Sequence, residues 1–376
     1  HDNLLNLYVD ASTDKTYAVV SGKVYQVRHL EQDSQWIIVG ADGSAGPKIM
    51  IDDNQHWRLD LRLRLRGGGG SVTKYKAARA ERSAKDILVV EASGMPEIRL
   101  LYRDRARRIG QAHLQAKRYL ETCLDNLSPH QSGQSLDVRA NRIITDFFGI
   151  TAPSTALLDD TLNAAKALFA AIMDPSLSPF SSQRFVVGTT RPGHERVTAF
   201  VLKSDPKKRI YLTEEFFLPP VFAIRPDALA KGFSPEVHYR AANLIHELSH
   251  LVLDTQDIAY LNAMAPYPDL MLDDTPDNVV ARDHVRSLHE TRLSHRGQRD
   301  ELFTLVEAGI RRDIEPDDGR GFETILKMTR RRTLDEARDV FMSDDAVRGA
   351  LIQANADSLT LLLLLLGREN FVLPSP

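Results

Sequence analysis

The sequence holds a single cysteine, Cys123, which excludes an intramolecular disulfide and any cysteine-based metal cluster. Its setting in RYLETCLDNL, with apolar neighbours at helical spacing, reads as a small buried hydrophobe and not as a reactive thiol. An excess of basic charge is missing too. Forty-eight Lys and Arg against 51 Asp and Glu leave a net charge of -3, without the positive field that nucleic-acid or anionic-membrane binding draws on. The apolar run LTLLLLLLG at residues 359–367 is far shorter than the roughly 20 residues of a membrane span, and it reads as a buried helix. The opening HDNLLNLYVDAS has neither a basic n-region nor a long apolar core and does not read as a signal peptide. Because the chain opens on His1 rather than Met, it is expected to be a piece of a longer protein, with any export signal outside it.

What is present is a chain of 376 residues, 43% hydrophobic, long enough for two or three domains with a sizeable core. From about Thr16 to Arg66, short β-rich runs (TYAVV, KVYQV, WIIVG, KIMI, WRLDLRLRLR) alternate with Gly, Asp and Asn turns and predict a small meander of strands. GGGGS at 67–71 reads as a linker. LRLRGG at 63–68 has the letters of the ubiquitin tail, yet Leu alternating with Arg on a half-buried strand before a glycine turn produces the same word. Beyond the linker the texture is helical: KYKAARAERSAKDILVV, a long stretch from about Ile98 to Leu127, SLDVRANRIITDFFG and TALLDDTLNAAKALFAAIM. The arginines of LLYRDRARRIGQAHLQAKR, interleaved with apolar residues, read as the wet face of a packed helix. FVVGTT and VTAFVLKSDPKKRIYLTEEFF then read as extended, with SDPKK turning one strand into the next. The expected organisation is α+β: a β-rich module with its linker over 1–71, a helical segment over 72–153 and a further domain over 154–376.

The chemistry lies in LIHELSHLVLDTQDIAYL at 244–261. Ser234 is placed as an N-cap with Pro235 at the first helical position and Glu236 in the first turn, which predicts a helix over about 235–253. On that helix His246 and His250 stand one turn apart, so both imidazoles project the same way and can grip one metal ion. Glu247 is rotated by about 100° from His246, beside the metal and not on it, where a general base for water belongs. HExxH arises by chance in only about a few per cent of chains of this composition. The competing reading is two histidines satisfied by hydrogen bonds in a polar groove.

A tetrahedral catalytic zinc takes a third protein ligand. A metzincin would place glycine and histidine where Leu253 and Gln256 stand, so that pattern fails. Glu290, in VRSLHETRLSH, is the candidate from a later helix. Asp257 is the nearer one, if the chain turns back through Asp254 and Thr255 after the helix.

The words HELSH and DTQDIAY resemble the aspzincins, the deuterolysin and peptidyl-Lys metalloendopeptidase group, which carry HExxH followed by GTxDxxYG. Thr255, Asp257 and Tyr260 match in spacing. Asp254 and Leu261 stand in place of the two glycines, and the connection between the motifs is shorter. RIYLTEEFF is similar to the edge strand of that family, and ANADSLTLL at 354–362 to its Asn-Ala-Asp segment, so the likeness spans about Thr155 to Gly367. The resemblance implies a zincin-like zinc endopeptidase of a protein or peptide substrate. His246, His250 and Asp257 would hold Zn²⁺, Glu247 would be the base, Tyr260 would assist the transition state, and Asn355 and Asp357 would support the ligands. Ile210, Leu212 and Glu214 would line the substrate rail, with Glu214 or Glu215 favouring a basic side chain. Domains of this kind occur within large secreted bacterial toxins, behind helical and β-rich modules, and the layout is similar. Readings from other classes are a non-catalytic toxin module that binds a host protein and a decoy built on LRLRGG.

Overall fold

The computed structural model describes residues 7–10, 15–20, 23–30, 35–39, 45–51, 57–60, 84–307 and 310–368. His1–Glu81 with Arg191–Glu195 form one compact unit, and Arg82–Thr190 with Arg196–Pro376 the other.

In the first unit the alternating runs form six strands, β1 (Leu7–Asp10), β2 (Lys15–Val20), β3 (Lys23–Leu30), β4 (Gln35–Val39), β5 (Ala45–Ile51) and β6 (Trp57–Asp60). Each pairs antiparallel with the next, so the sheet is a meander. Val27 on β3 and Ile37 on β4 are buried. LRLRGG and GGGGS lie outside the described residues.

The second unit opens with a departure from the expected helix. AKDI forms only one turn, α1 (Ala84–Ile87), and LVVEAS runs on as β7 (Leu88–Ser93). The paired valines suit a pleated strand, and a strand partner far along the chain, β8 (Phe185–Thr190), pairs antiparallel with it. Between them lie α2 (Met95–Leu101), α3 (Arg103–Gln131), α4 (Val138–Phe148) and α5 (Thr155–Met173). Asp137 caps α4 through Ala140 N, and Ser154 caps α5 through Leu157 N. Residues of α2 to α5 share one hydrophobic core with the motif helix and the C-terminal helices. The boundary expected at 153/154 therefore does not separate compact units, because α3 packs across it on both α5 and the motif helix.

SDPKK turns β9 (Ala199–Val201) into β10 (Ile210–Leu212), as expected. The Asp205 carboxylate holds this turn, accepting from Lys207 N at 3.1 Å, Arg209 N at 3.2 Å and the Tyr211 hydroxyl at 2.9 Å. β10 is not the edge that the sequence suggests. The order is β7-β8-β10-β9, with β10 parallel to β8 and antiparallel to β9, so both backbone edges of β10 are in use. The antiparallel edge next to the motif helix is β9. Ile210 and Leu212 are buried, which fits an inner strand.

After α6 (Glu214–Phe217) and α7 (Pro226–Ala230) comes α8 (Pro235–Val252), the motif helix. The Ser234 hydroxyl accepts from Val237 N at 3.3 Å, as the capping signal predicts. The remaining elements are α9 (Pro276–Thr291), β11 (Thr304–Glu307), β12 (Ile310–Asp313), α10 (Phe322–Thr329), α11 (Leu334–Ser343), α12 (Asp345–Ala354) and α13 (Ala356–Leu366). On α13, Leu359, Leu361, Leu362, Leu363, Leu364 and Leu366 are all buried. A helix apolar on every side sits inside a core, and here it packs on α3, α4 and α8. Among the described residues no helix is long and apolar enough to cross a membrane.

Candidate metal centre

Three elements converge on the site: the C-terminal half of α8, the loop at 254–263 and the start of α13. At the end of α8, Leu253 N donates to Ser249 O and the helix stops. Asp254 then takes φ +57, a left-handed conformation that reverses the chain. Glycine adopts it most readily, and Asp tolerates it better than most residues. Asp254 can therefore make this turn. An exposed ion pair with Lys203, just beyond β9, ties down its side chain.

The reversal brings Asp257 under the two histidines. His246 Nε2 lies 3.1 Å from Asp257 Oδ1, His250 Nε2 lies 3.5 Å from it, and the two Nε2 atoms are 3.3 Å apart. Ligand atoms about 2.0–2.2 Å from a tetrahedral zinc are separated by about 3.3–3.6 Å. The triangle thus has nearly the dimensions of one face of such a site, and its donor set of two imidazoles and a carboxylate suits zinc. This is the group among the described residues able to hold a metal ion. Glu290 is not part of it, being exposed on α9.

Each ligand is held from behind. His250 Nδ1 donates to Thr255 O at 2.9 Å, with Thr255 Oγ1 at 3.2 Å, which leaves Nε2 facing Asp257. Ser249 donates to His246 O at 2.6 Å, and its hydroxyl meets that of Thr255 at 2.7 Å. His246 Nδ1 faces Asp357 Oδ1 at 3.4 Å. The other Asp357 oxygen accepts from Leu261 N and, at 3.3 Å, from Ala263 N. Asn355 Oδ1 accepts from Ile258 N at 3.0 Å and Ala259 N at 3.1 Å, while its amide donates to Ala259 O at 2.8 Å. A parallel bridge between Gln256 and Asn355 completes the seam. The Asn355-Asp357 pair is thus the scaffold of the loop that carries Asp257.

Electrostatics follow from this packing. Burial alone would raise the Asp257 carboxyl and lower both imidazoles. The close approach of Asp257 to His246 and His250 outweighs it, holding Asp257 far below the carboxylate range and both histidines above their usual value. Glu247 is only 6% exposed. Burial raises its carboxyl, against the opposing pull of His246 and His250, which moves it toward the pH at which a general base works best. Tyr260 is 49% exposed. Desolvation, and then the negative charge of Asp257, push its hydroxyl upward and keep it a proton donor.

No protein-family model matches the chain, and no curated protein matches it significantly. A functional reading therefore rests on this geometry.

Glu214 does not join the site, because its carboxylate accepts from both Thr190 N and Thr190 Oγ1 at 2.7 Å. One neighbour of the centre carried no sequence signal. Arg320 lies over the Tyr260 ring, 4.2 Å from its centroid, and Nη1 donates to Asp257 O at 3.4 Å. Only the tertiary fold brings it there.

Proposed function

We propose that this chain is a zinc-dependent endopeptidase of the aspzincin type, zincin-like in its second unit, that cuts a protein substrate as part of a secreted bacterial toxin or effector. The observation that carries the reading is the His246–His250–Asp257 triangle with its tetrahedral edge lengths.

Zinc bound there would supply a Lewis acid that acidifies water and polarises the scissile carbonyl. Glu247 takes the proton of the attacking water and passes it to the leaving amine. The Tyr260 hydroxyl donates to the oxyanion as charge develops on it, a contact that favours the transition state over the ground state. Thr255 and Asp357 hold the imidazoles in the orientation that ligation needs. An extended substrate pairs along β9, the open edge beside α8. The toxin assignment is supported by the resemblance and by the small β-rich unit ahead of the site.

Elemental analysis of the purified chain is the deciding experiment. One zinc per chain is expected, lost on chelation with a fall in Tm and restored with added zinc; no stoichiometric metal and a Tm indifferent to zinc would sink the reading. For the toxin assignment, wild-type protein made inside target cells should harm them and the Glu247→Gln variant should not. Equal tolerance of both would remove it.

A further inference from the structure

Arg320 stands beside Asp257 and Tyr260, and among the described residues it has no carboxylate within ion-pair distance. Its guanidinium lies over the Tyr260 ring and donates to the Asp257 carbonyl oxygen. Asp318, two residues earlier, is hydrogen-bonded by Arg312 at 2.7 and 2.9 Å and feels Arg320 only through space. The aromatic contact covers one face of the guanidinium. Its edge carries five N–H donors, and the 3.4 Å contact engages one of them.

The placement is built into the loop. The Asp318 carboxylate also accepts from Glu315 N at 2.6 Å, closing a capping box ahead of Arg320. Gly321 follows at φ +69, where a Cβ would come within 3.1 Å of Gln256 Cβ and of Ile258 Cγ1. Glycine thus lets this loop press on the residues flanking Asp257. Of the two acids expected to favour a basic side chain, Glu214 is bound to Thr190. Lys203 is paired with Asp254. Arg320 thus brings to the centre a guanidinium that no ion pair engages among the described residues.

We infer that Arg320 forms a carboxylate-binding subsite, and that the substrate carries an Asp or Glu side chain next to the bond that is cut. The inference rests on the peptidase reading and names its substrate class. A carboxylate can accept two parallel N–H groups from the guanidinium edge, an interaction worth about ten- to a hundred-fold in selectivity.

The test uses the zinc-loaded full chain and peptides that differ only in Glu, Gln or Lys at positions flanking the scissile bond. Wild type should favour Glu in kcat/KM by about tenfold or more, Arg320→Gln should level the series, and Arg320→Glu should reverse it, with zinc content unchanged. Binding of the same peptides to the Glu247→Gln chain, followed by fluorescence anisotropy, should show the same order and the same reversal. If Arg320 only braces Tyr260, its variants slow all peptides alike and the ratio stays fixed, which overturns the subsite. Cleavage without a preference for Glu overturns the subsite and leaves the peptidase reading standing. Selective binding by the Glu247→Gln chain without cleavage by wild type does the opposite. Absence of any preference in both readouts removes the subsite outright.

Discussion

His246 Nδ1 and Asp357 Oδ1 face each other across 3.4 Å, both buried, and neither atom has a hydrogen-bond partner elsewhere among the described residues. A carboxylate in this place fixes which imidazole nitrogen would face a metal ion and would make it a better donor. The same side chain clamps Leu261 N and Ala263 N, so one residue serves both the ligand and the loop.

Asp357→Asn keeps an acceptor for the loop and removes the charge behind His246. Zinc affinity should fall by about 10- to 100-fold, measured by competition with a chelator. Affinity equal to wild type would confine Asp357 to its backbone bonds.

Glu247→Gln preserves size and removes the base. Zinc should stay bound while peptide hydrolysis falls by about 10²-fold or more. Because a buried carboxylate is replaced by a neutral amide, thermal stability should not drop. Undiminished cleavage would rule out the role given to Glu247.

Asp257→Ala leaves two imidazoles and should cost both metal occupancy and activity. Glu290→Ala, on the exposed face of α9, should leave both nearly intact. An exchange of these results would move the third ligand to α9 and end the aspzincin assignment.

The motif helix was readable because its signals are local: Ser234 and Pro235 set its start, and the spacing of His246 and His250 needs nothing outside one turn. Asp257 is singled out by the match of Thr255, Asp257 and Tyr260 to the aspzincin pattern, and Asp254 is a residue able to turn left-handed. Strand order was not readable. RIYL reads the same as an inner or an edge strand, and β8 decides between them from 25 residues upstream, counted from Phe185 to Ile210. LVVEAS followed a helical stretch and was absorbed into it, since only its pairing with β8 distinguishes it. Glu214 looked available because Thr190 comes near it only in the folded chain. Arg320 is a lone arginine in a run of charged residues, and its position depends on Gly321 meeting Gln256 and Ile258.

Asp205 gives a test of the edge itself. Burial would raise its carboxyl, but the bonds from Arg209, Tyr211 and the turn backbone win and pull it down to about 2. A depressed folded value means stability present above the unfolded pKa of about 3.9 and lost as pH falls toward 2. Asp205→Ala should therefore cost about 1–3 kcal/mol at pH 6, read from urea melts, with the gap closing below about pH 3. A gap independent of pH would show that the ionised carboxylate is not what holds the turn. Phe200 on β9 stacks on Tyr211 at 4.8 Å, so cleavage should suffer along with stability.

The seam between Gln256 and Asn355 joins segments nearly a hundred residues apart in the chain. During synthesis the histidines of α8 emerge long before Asn355 and Asp357, so a nascent chain owns two ligands and no scaffold for the third. Closing so long a loop is entropically costly, and it is offset only once α13 buries its leucines. The loop that carries Asp257 is therefore assembled only after α13 has been made, and a ribosome-bound or clipped chain that lacks α13 should hold His246 and His250 without the scaffold for Asp257.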